Sequence, residues 1–302
     1  MRIASLLASG TELVCALGLG DSLVGRSHEC EEPAWVRTLP QLSRPTFPID
    51  GSSGEIDGHV RARLRAGQPL YEVDDALLTA LAPDVILTQT HCEVCAVSPG
   101  DIACGVPARL ERQRVVSLDG GTLETVLEGF ARVADVLGVA EAGRALVRGL
   151  RAQADAVASR ARSLPAPTVA CIEWIDPVFA MGNWGPELVA LAGGRSVLGQ
   201  AAAPSTTTAW EAVLAADADV LVVAPCGFSL ARTLPELPTL AARPGWSELR
   251  AVRAGRVFVA DGNTYFNRSG PSLFETPELL AEMLHPREFA PKHEGSAWRT
   301  WS

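Results

Sequence analysis

Two stretches far apart in this chain follow one pattern: a short amphipathic helix, an aspartate, then an unbroken apolar run of strand length. They are ALLTALAPDVILT (76–88) and EAVLAADADVLVV (211–223). A helix that feeds directly into a strand buried on both faces predicts a parallel sheet covered by helices. Meeting the unit twice argues for two similar α/β lobes, and no short repeat of the solenoid kind is present. The length of 302 residues suits two cores, at about 150 residues each.

The remaining pattern fills in both lobes. Ile3–Leu7 reads as a strand, and Ser9-Gly10-Thr11-Glu12 as a capping box opening a helix that runs to Leu17 and ends at Gly18. Leu23–Arg26 and Leu70–Val73 read as short strands, 31–55 mainly as loop, and Glu55–Arg65 as a helix. Asp74-Asp75 caps a helix carrying Leu77, Leu78 and Leu81, Pro83 stops it, and Asp84–Thr90 follows as a buried strand, with another at Val115–Leu118. Helices are expected over Thr122–Leu137 and Ala140–Leu164; the second repeats apolar residues at Leu146, Leu150, Ala154, Val157, Ala161 and Leu164. Pro165-Ala166-Pro167 ends it. The expected division is an N-terminal lobe over 1–121, a helical connector over 122–165 and a C-terminal lobe over 166–302. In that last lobe Thr168–Ile175, Asp219–Ala224 and Arg256–Ala260 read as strands. Pro186–Ala192, Thr208–Ala216, Trp246–Val252 and Pro277–Leu284 read as helices. The polar tail from His285, with Trp298 and Trp301, either wraps a lobe or stays mobile.

Charge and apolar run length narrow the function classes. A net charge of −9 without a block of five like charges argues against nucleic acid or an anionic membrane as partner. The longest apolar runs, such as Val220–Pro225, are strand-length, so no membrane insertion is expected. Met1-Arg2 leads into an apolar stretch too short for a secretory h-region, and lipoprotein cleavage at Cys15 would remove the first strand and half the first helix. Seven irregularly spaced cysteines do not form a disulfide framework. The expected compartment is therefore the cytoplasm, with a periplasmic location requiring a trimmed leader. No GxSxG, HExxH, P-loop or strand-linked GxGxxG is present, and nothing pairs Glu29, Glu93 or Glu173 by spacing. The chain reads as a small-molecule binder rather than an enzyme.

Five segments in order carry a family resemblance: RIASLLASGTELVCALGLGDSLVG, VDDALLTALAPDVIL, IEWIDPVFAMGNWGPELVALAGG, WEAVLAADADVLVV and WSELRAVRAGRVFVADGNTYFNRSGP. Together they resemble the helical-backbone (class III) substrate-binding proteins of ABC transporters, most closely the cobalamin-binding branch. The resemblance implies two Rossmann-like parallel-sheet lobes joined by one long helix, to which Ala140–Leu164 corresponds. It also implies a cobalamin, related corrinoid or other tetrapyrrole held in the interlobe cleft by lobe closure, and hand-over to an ABC permease only if the protein is exported.

Ligands of parallel α/β sheets bind beyond the carboxyl ends of the strands. In the first lobe that rule nominates Ser9, Thr11, His28, Glu29, Cys30, His91 and Cys92 as ligand-binding residues. In the second it nominates Glu173, Trp174, Asn183, Trp184, Phe228, Phe266 and Arg268. Trp174, Trp184, Phe228 and Phe266 offer aromatic area for a flat macrocycle or, equally, plugs for their own core. Arg268 suits a carboxylate or phosphate, or a plain salt bridge. A second class of function rests on Cys92-x-x-Cys95 with His91, His28 and Cys30: thiolates and imidazoles that suit zinc or another thiophilic metal. That cluster predicts a thiol- or metal-dependent enzyme or a metal-handling protein on the same scaffold, unless the thiols are buried packing groups.

Overall fold

The computed structural model describes residues 1–89 and 114–301. The chain begins β1 (Ile3–Ser5), α1 (Ala8–Ala16), β2 (Leu23–Gly25), β3 (Ser43–Pro45), α2 (Ser53–Arg65), β4 (Tyr71–Val73), α3 (Asp75–Leu81), β5 (Val85–Thr88) and β6 (Arg114–Ser117). A four-stranded sheet of order β2-β1-β5-β6 forms the first lobe, and every pairing in it is parallel. β3 and β4 leave that sheet and pair antiparallel as a separate ribbon.

Where the capping box falls differs from the sequence expectation. Leu7 is the N-cap of α1 and supplies no side-chain hydrogen bond, because the helix starts two residues after β1 and draws Ser9 into its first turn. Glu12 is taken by the second lobe, accepting hydrogen bonds from the backbone N–H and hydroxyl of Ser272. A true capping box stands at Ser52 and Glu55 and opens α2.

Two helices follow, α4 (Leu123–Val136) and α5 (Ala140–Ala161). At 22 residues, α5 spans about 33 Å. Its buried stripe runs through Gly143, Leu150, Ala154, Val157 and Ala161, matching the expected helical spacing. The chain continues through β7 (Thr168–Trp174), β8 (Phe179–Ala180), α6 (Gly185–Leu191), β9 (Arg195–Ser196), β10 (Thr206–Thr207), α7 (Trp210–Ala216) and β11 (Val220–Val223). It ends with α8 (Leu230–Thr233), α9 (Leu237–Ala241), α10 (Arg250–Arg253), β12 (Val257–Ala260), α11 (Thr276–Leu284) and β13 (Trp298–Thr300). The second sheet runs β10-β8-β7-β11-β12-β13, with β9 also on β7. Its centre is parallel, while β8, β10 and β13 run antiparallel at the margins. One buried apolar cluster runs from Ile3 and Phe130 through Val157 to Val169 and Leu279, so α4 and α5 join the cores of both lobes.

The tail wraps the second lobe because one buried acid holds it. Glu282 is fully buried and accepts the Trp298 indole N–H at 2.9 Å and the His293 backbone N–H at 3.2 Å, with His293 Nδ1 at 2.8 Å. β13 is thereby set against β12. Among the described residues no helix is long and apolar enough to cross a membrane.

The repeated aspartate has one role in both lobes. Asp84 Oδ2 accepts the Arg2 backbone N–H at 2.7 Å, and Asp219 Oδ2 accepts that of Thr168 at 2.8 Å. Each acid so ties the buried strand it precedes to the start of its parallel neighbour. Two residues upstream, Ala82 and Asp217 take the same left-handed conformation (φ 43° and 35°) at the ends of α3 and α7. Asp219 also accepts from Arg250 and from the Thr168 hydroxyl, and these bonds pull its carboxyl down to about 2. Asp219→Ala is expected to cost about 1.5–3 kcal/mol in urea denaturation. Because the folded pKa lies below the ordinary value of 3.8, the wild-type contribution is present above that value and fades as pH falls through about 2. The variant's melting point must lose that part of its acid dependence.

Candidate functional site

A cavity of about 430 Å³ opens between the two lobes. Its first wall comes from α2, where Ile56, Val60 and Leu64 form a stripe at helical spacing that borders the cavity, with Val60 also packed against the first lobe's core. Phe47 and Tyr71 continue that wall. The opposite wall carries Trp174, Phe179, Trp184 and Phe228. Trp174 meets Phe228 edge-on at 5.2 Å, and the Arg232 guanidinium lies 3.9 Å from the Phe228 ring centre. Apolar walls with few polar groups are the make-up of a small-molecule site, and this volume lies within the roughly 300–1,000 Å³ such sites span.

Polar groups gather where the strands end. His28, two residues beyond the bridge that extends β2, borders the cavity with Tyr71 at 5.2 Å between ring centres. Its Nδ1 lies 3.0 Å from the Ser43 hydroxyl. Burial, aided by Arg26, lowers its pKa to about 4, so the imidazole is neutral at physiological pH. Glu173 sits on β7 and accepts the Ser205 hydroxyl at 2.6 Å; burial outweighs that bond and raises its carboxyl to about 7. Cys226 follows β11 and is pushed up strongly by burial, with Glu173 and Glu29 adding to the effect. Glu29 is raised by burial, against the pull of Arg268.

Contacts across the mouth hold the lobes together. Glu236 accepts the Ser53 backbone N–H at 2.8 Å, placing a carboxylate at the N-terminus of α2, where the helix dipole favours it. The Trp174 indole donates to the Ser53 carbonyl at 3.2 Å. Arg232 donates to the carbonyls of Ile49 and Gly51.

Several expected site residues take other roles. Phe266 is fully buried in the core; its carbonyl accepts the Trp184 indole N–H at 2.8 Å, so it plugs the lobe rather than lining the cleft. Trp184 is itself 4% exposed, yet it borders the cavity, as does Asn183 at φ 48°. Thr11 and Cys30 bond each other at 3.0 Å beneath the surface, and Ser27 lies 3.2 Å from the same sulfur. Cys30 is 1% exposed and its thiol is pushed up by burial, and neither it nor Thr11 is among the residues lining the cavity. Ser9 and Arg268 line a second, smaller chamber described below. His91, Cys92 and Cys95 lie outside the described residues. Among the described residues no three His, Cys, Asp or Glu side chains are placed to hold a metal.

Other cavity residues escaped the sequence reading. Ile56, Val60 and Leu64 carried a signal, an apolar stripe on a helix with Leu64 left 47% exposed. Phe47, Phe179 and Ser205 lie in segments without periodicity, and only their placement shows their part.

The paired effects of burial generate a pH prediction. A carboxyl raised from 4.5 to about 7 stabilises the fold in its neutral form; that stability is complete below 4.5 and is lost as pH rises through about 7. Glu173→Gln should therefore gain on wild type between pH 5 and pH 8 by up to about 3 kcal/mol, read as converging, then crossing, melting curves.

A model of the periplasmic binding protein family matches residues 3–264. No curated protein sequence matches the chain. Among solved structures, an ABC transporter substrate-binding protein from Listeria monocytogenes EGD-e superposes with a TM-score of 0.69 at 17% identity, covering 95% of this chain and 99% of that one. The periplasmic heme-binding protein RhuT from Roseiflexus sp. RS-1 in apo form gives 0.69 at 20% identity, with coverage of 95% and 99%. The periplasmic vitamin B12 binding protein BtuF of Vibrio cholerae gives 0.66 at 18%, with 94% and 96% covered. These likenesses establish the two-lobed α/β fold.

Proposed function

The chain belongs to the periplasmic binding protein family, and we propose that its interlobe cavity takes a tetrapyrrole, a cobalamin or related corrinoid being the first expectation. The carrying observation is the pair of facing apolar walls: Phe47, Ile56 and Tyr71 from one lobe against Trp174, Phe179 and Phe228 from the other. A large flat ligand gains contact area on both faces only when both lobes reach it, so binding favours the closed arrangement. The neutral His28 and the carboxyls of Glu29 and Glu173 give such a ligand polar contacts at one edge. The expected segments 1–121, 122–165 and 166–302 then act as lobe, connector and lobe, with α4 and α5 restricting the hinge to small rotations. Two of the superposed proteins are described as binding heme and vitamin B12, which accords with this ligand class.

The protein so read is a carrier, store or sensor, in the cytoplasm by the sequence expectation. The four described cysteines are all free thiols, in keeping with a reducing compartment. Delivery to an ABC permease belongs to this reading only for an exported form.

Absorption titration tests it. Addition of cyanocobalamin or hemin to the purified protein is expected to shift the ligand's visible bands with saturation. Trp174→Ala should weaken that binding about tenfold through loss of one aromatic wall. Unshifted spectra for both ligands would discard the tetrapyrrole reading.

A further inference from the structure

Behind the main cavity lies a second chamber of about 40 Å³, and the two share Glu29, Cys226, Gly227 and Asn267. Its volume is room for roughly three water-sized groups. Polar side chains dominate it: Ser9, Gln89, Asn263, Arg268 and Ser269 join the shared Glu29 and Asn267.

Three independent features of the chamber suit one kind of guest. Leu7, Ala8 and Ser9 line it, placing the N-terminus of α1 there. That nine-residue helix has no side-chain cap, and its first turn is buried. Buried first-turn N–H groups call for an acceptor, and the dipole favours a negative one. Ser269 is 3% exposed, and its hydroxyl is buried with no hydrogen-bond partner. A buried hydroxyl without a partner is costly and needs its own explanation. Arg268 supplies positive charge; one of its terminal nitrogens is held by Asn263 Oδ1 at 2.5 Å and by the Glu29 carbonyl at 3.3 Å. Its fork is thus fixed across the lobes, and a planar anion matches its geometry.

The location agrees. β1 and β5 are neighbours whose chains leave in opposite directions, toward β2 and β6, so the crevice at their ends is a topological switch point. Ser9 and Gln89 follow those two strands into the chamber.

We infer that this chamber is a carboxylate-binding subsite, formed by the uncapped end of α1, the Arg268 guanidinium and the Ser269 hydroxyl, and that it takes an acidic arm of the molecule held in the main cavity. The inference rests on the tetrapyrrole reading for its ligand but not for its chemistry, since a free small carboxylate would satisfy the same groups. Glu29 also borders the chamber, and burial favours its protonated, hydrogen-donating form. Within the tetrapyrrole class the subsite would select macrocycles with free acid arms, as heme has, over those whose acids are blocked, as the amidated arms of cobalamin are.

Wild type, Arg268→Gln and Ser269→Ala are compared in two titrations. The first is calorimetric, with sodium acetate at constant ionic strength. The second is optical, with hemin, which carries propionate arms, and hemin dimethyl ester, in which they are blocked. Wild type is expected to bind hemin about tenfold or more tightly than the diester, and each variant to bind the two alike. Saturable acetate binding that disappears in Arg268→Gln identifies the same subsite as open to free carboxylates. Ser269→Ala should melt at or above the wild-type temperature, since it removes a hydroxyl without a partner; this separates lost binding from misfolding. No acetate binding together with equal affinity for hemin and its diester overturns the subsite, as does a hemin preference that survives in both variants. Acetate binding abolished by the variants, with binding of neither hemin nor cyanocobalamin, retains the subsite and fails the tetrapyrrole reading. Absence of acetate, hemin and cyanocobalamin binding in wild type rejects the two together.

Discussion

Parallel strands all end at the same edge of their sheet, and that constraint orders everything else in this molecule. In the first sheet β1 and β5 sit side by side and send their chains apart, to β2 and β6; in the second, β7 and β11 do the same, to β9 and β12. Each parting is a topological switch point, where an open α/β sheet leaves a crevice. The two crevices open on one space, because residues that follow β1, β5 and β11 line a common chamber and β7 supplies Glu173 beside it. The aspartates that fix strand against strand, Asp84 and Asp219, hold each parting in register from the opposite edge.

Burial then decides the electrostatics of that space. His28 is lowered to about 4, while Glu173 is raised to about 7. Each shift favours the uncharged form, since a charge in a half-closed apolar cavity forfeits its hydration. The acid edge of the cavity is thereby less charged than its composition suggests. Arg232 stays at the mouth against carbonyls of the facing lobe, and Arg268 behind the cavity against Asn263 and the Glu29 carbonyl. Cationic groups thus flank an apolar slot whose floor is a set of weakly ionised hydrogen-bonding groups, an arrangement suited to a ligand with a broad apolar body and a polar fringe.

Much of this was readable from residue order. The helix–aspartate–strand units at 76–88 and 211–223 predicted both sheets, and the loops nominated after their strands supplied His28, Glu29, Glu173, Trp174 and Phe228 to the cavity. The failures have physical causes. Ser9-Gly10-Thr11-Glu12 has the letters of a capping box, but α1 begins too soon after β1, and Glu12 finds better donors on Ser272, far along the chain. Phe266 stands in a strand-end segment, yet the π-helical turn over Gly262–Phe266 rotates it into the core. Cys30 packs against the hydroxyls of Thr11 and Ser27, and the His91 and Cys92 expected beside it lie outside the described residues. For Glu12 a partner distant in sequence outcompeted the local pattern.

The sequence by itself determined the two-lobed parallel α/β architecture, since periodicity, caps and buried strand runs are local properties written in consecutive residues. It determined also the long helix Ala140–Ala161, whose apolar stripe is spaced for burial along one face. Only the tertiary structure decided which strand-end side chains share a space, that the stripe Ile56, Val60 and Leu64 borders a cavity, and that Ser269 is buried without a partner. Those outcomes depend on contacts between residues a hundred or more positions apart, such as Ser53 with Glu236 and Glu29 with Arg268. The packing of one lobe on the other creates them, and no short stretch of chain encodes it.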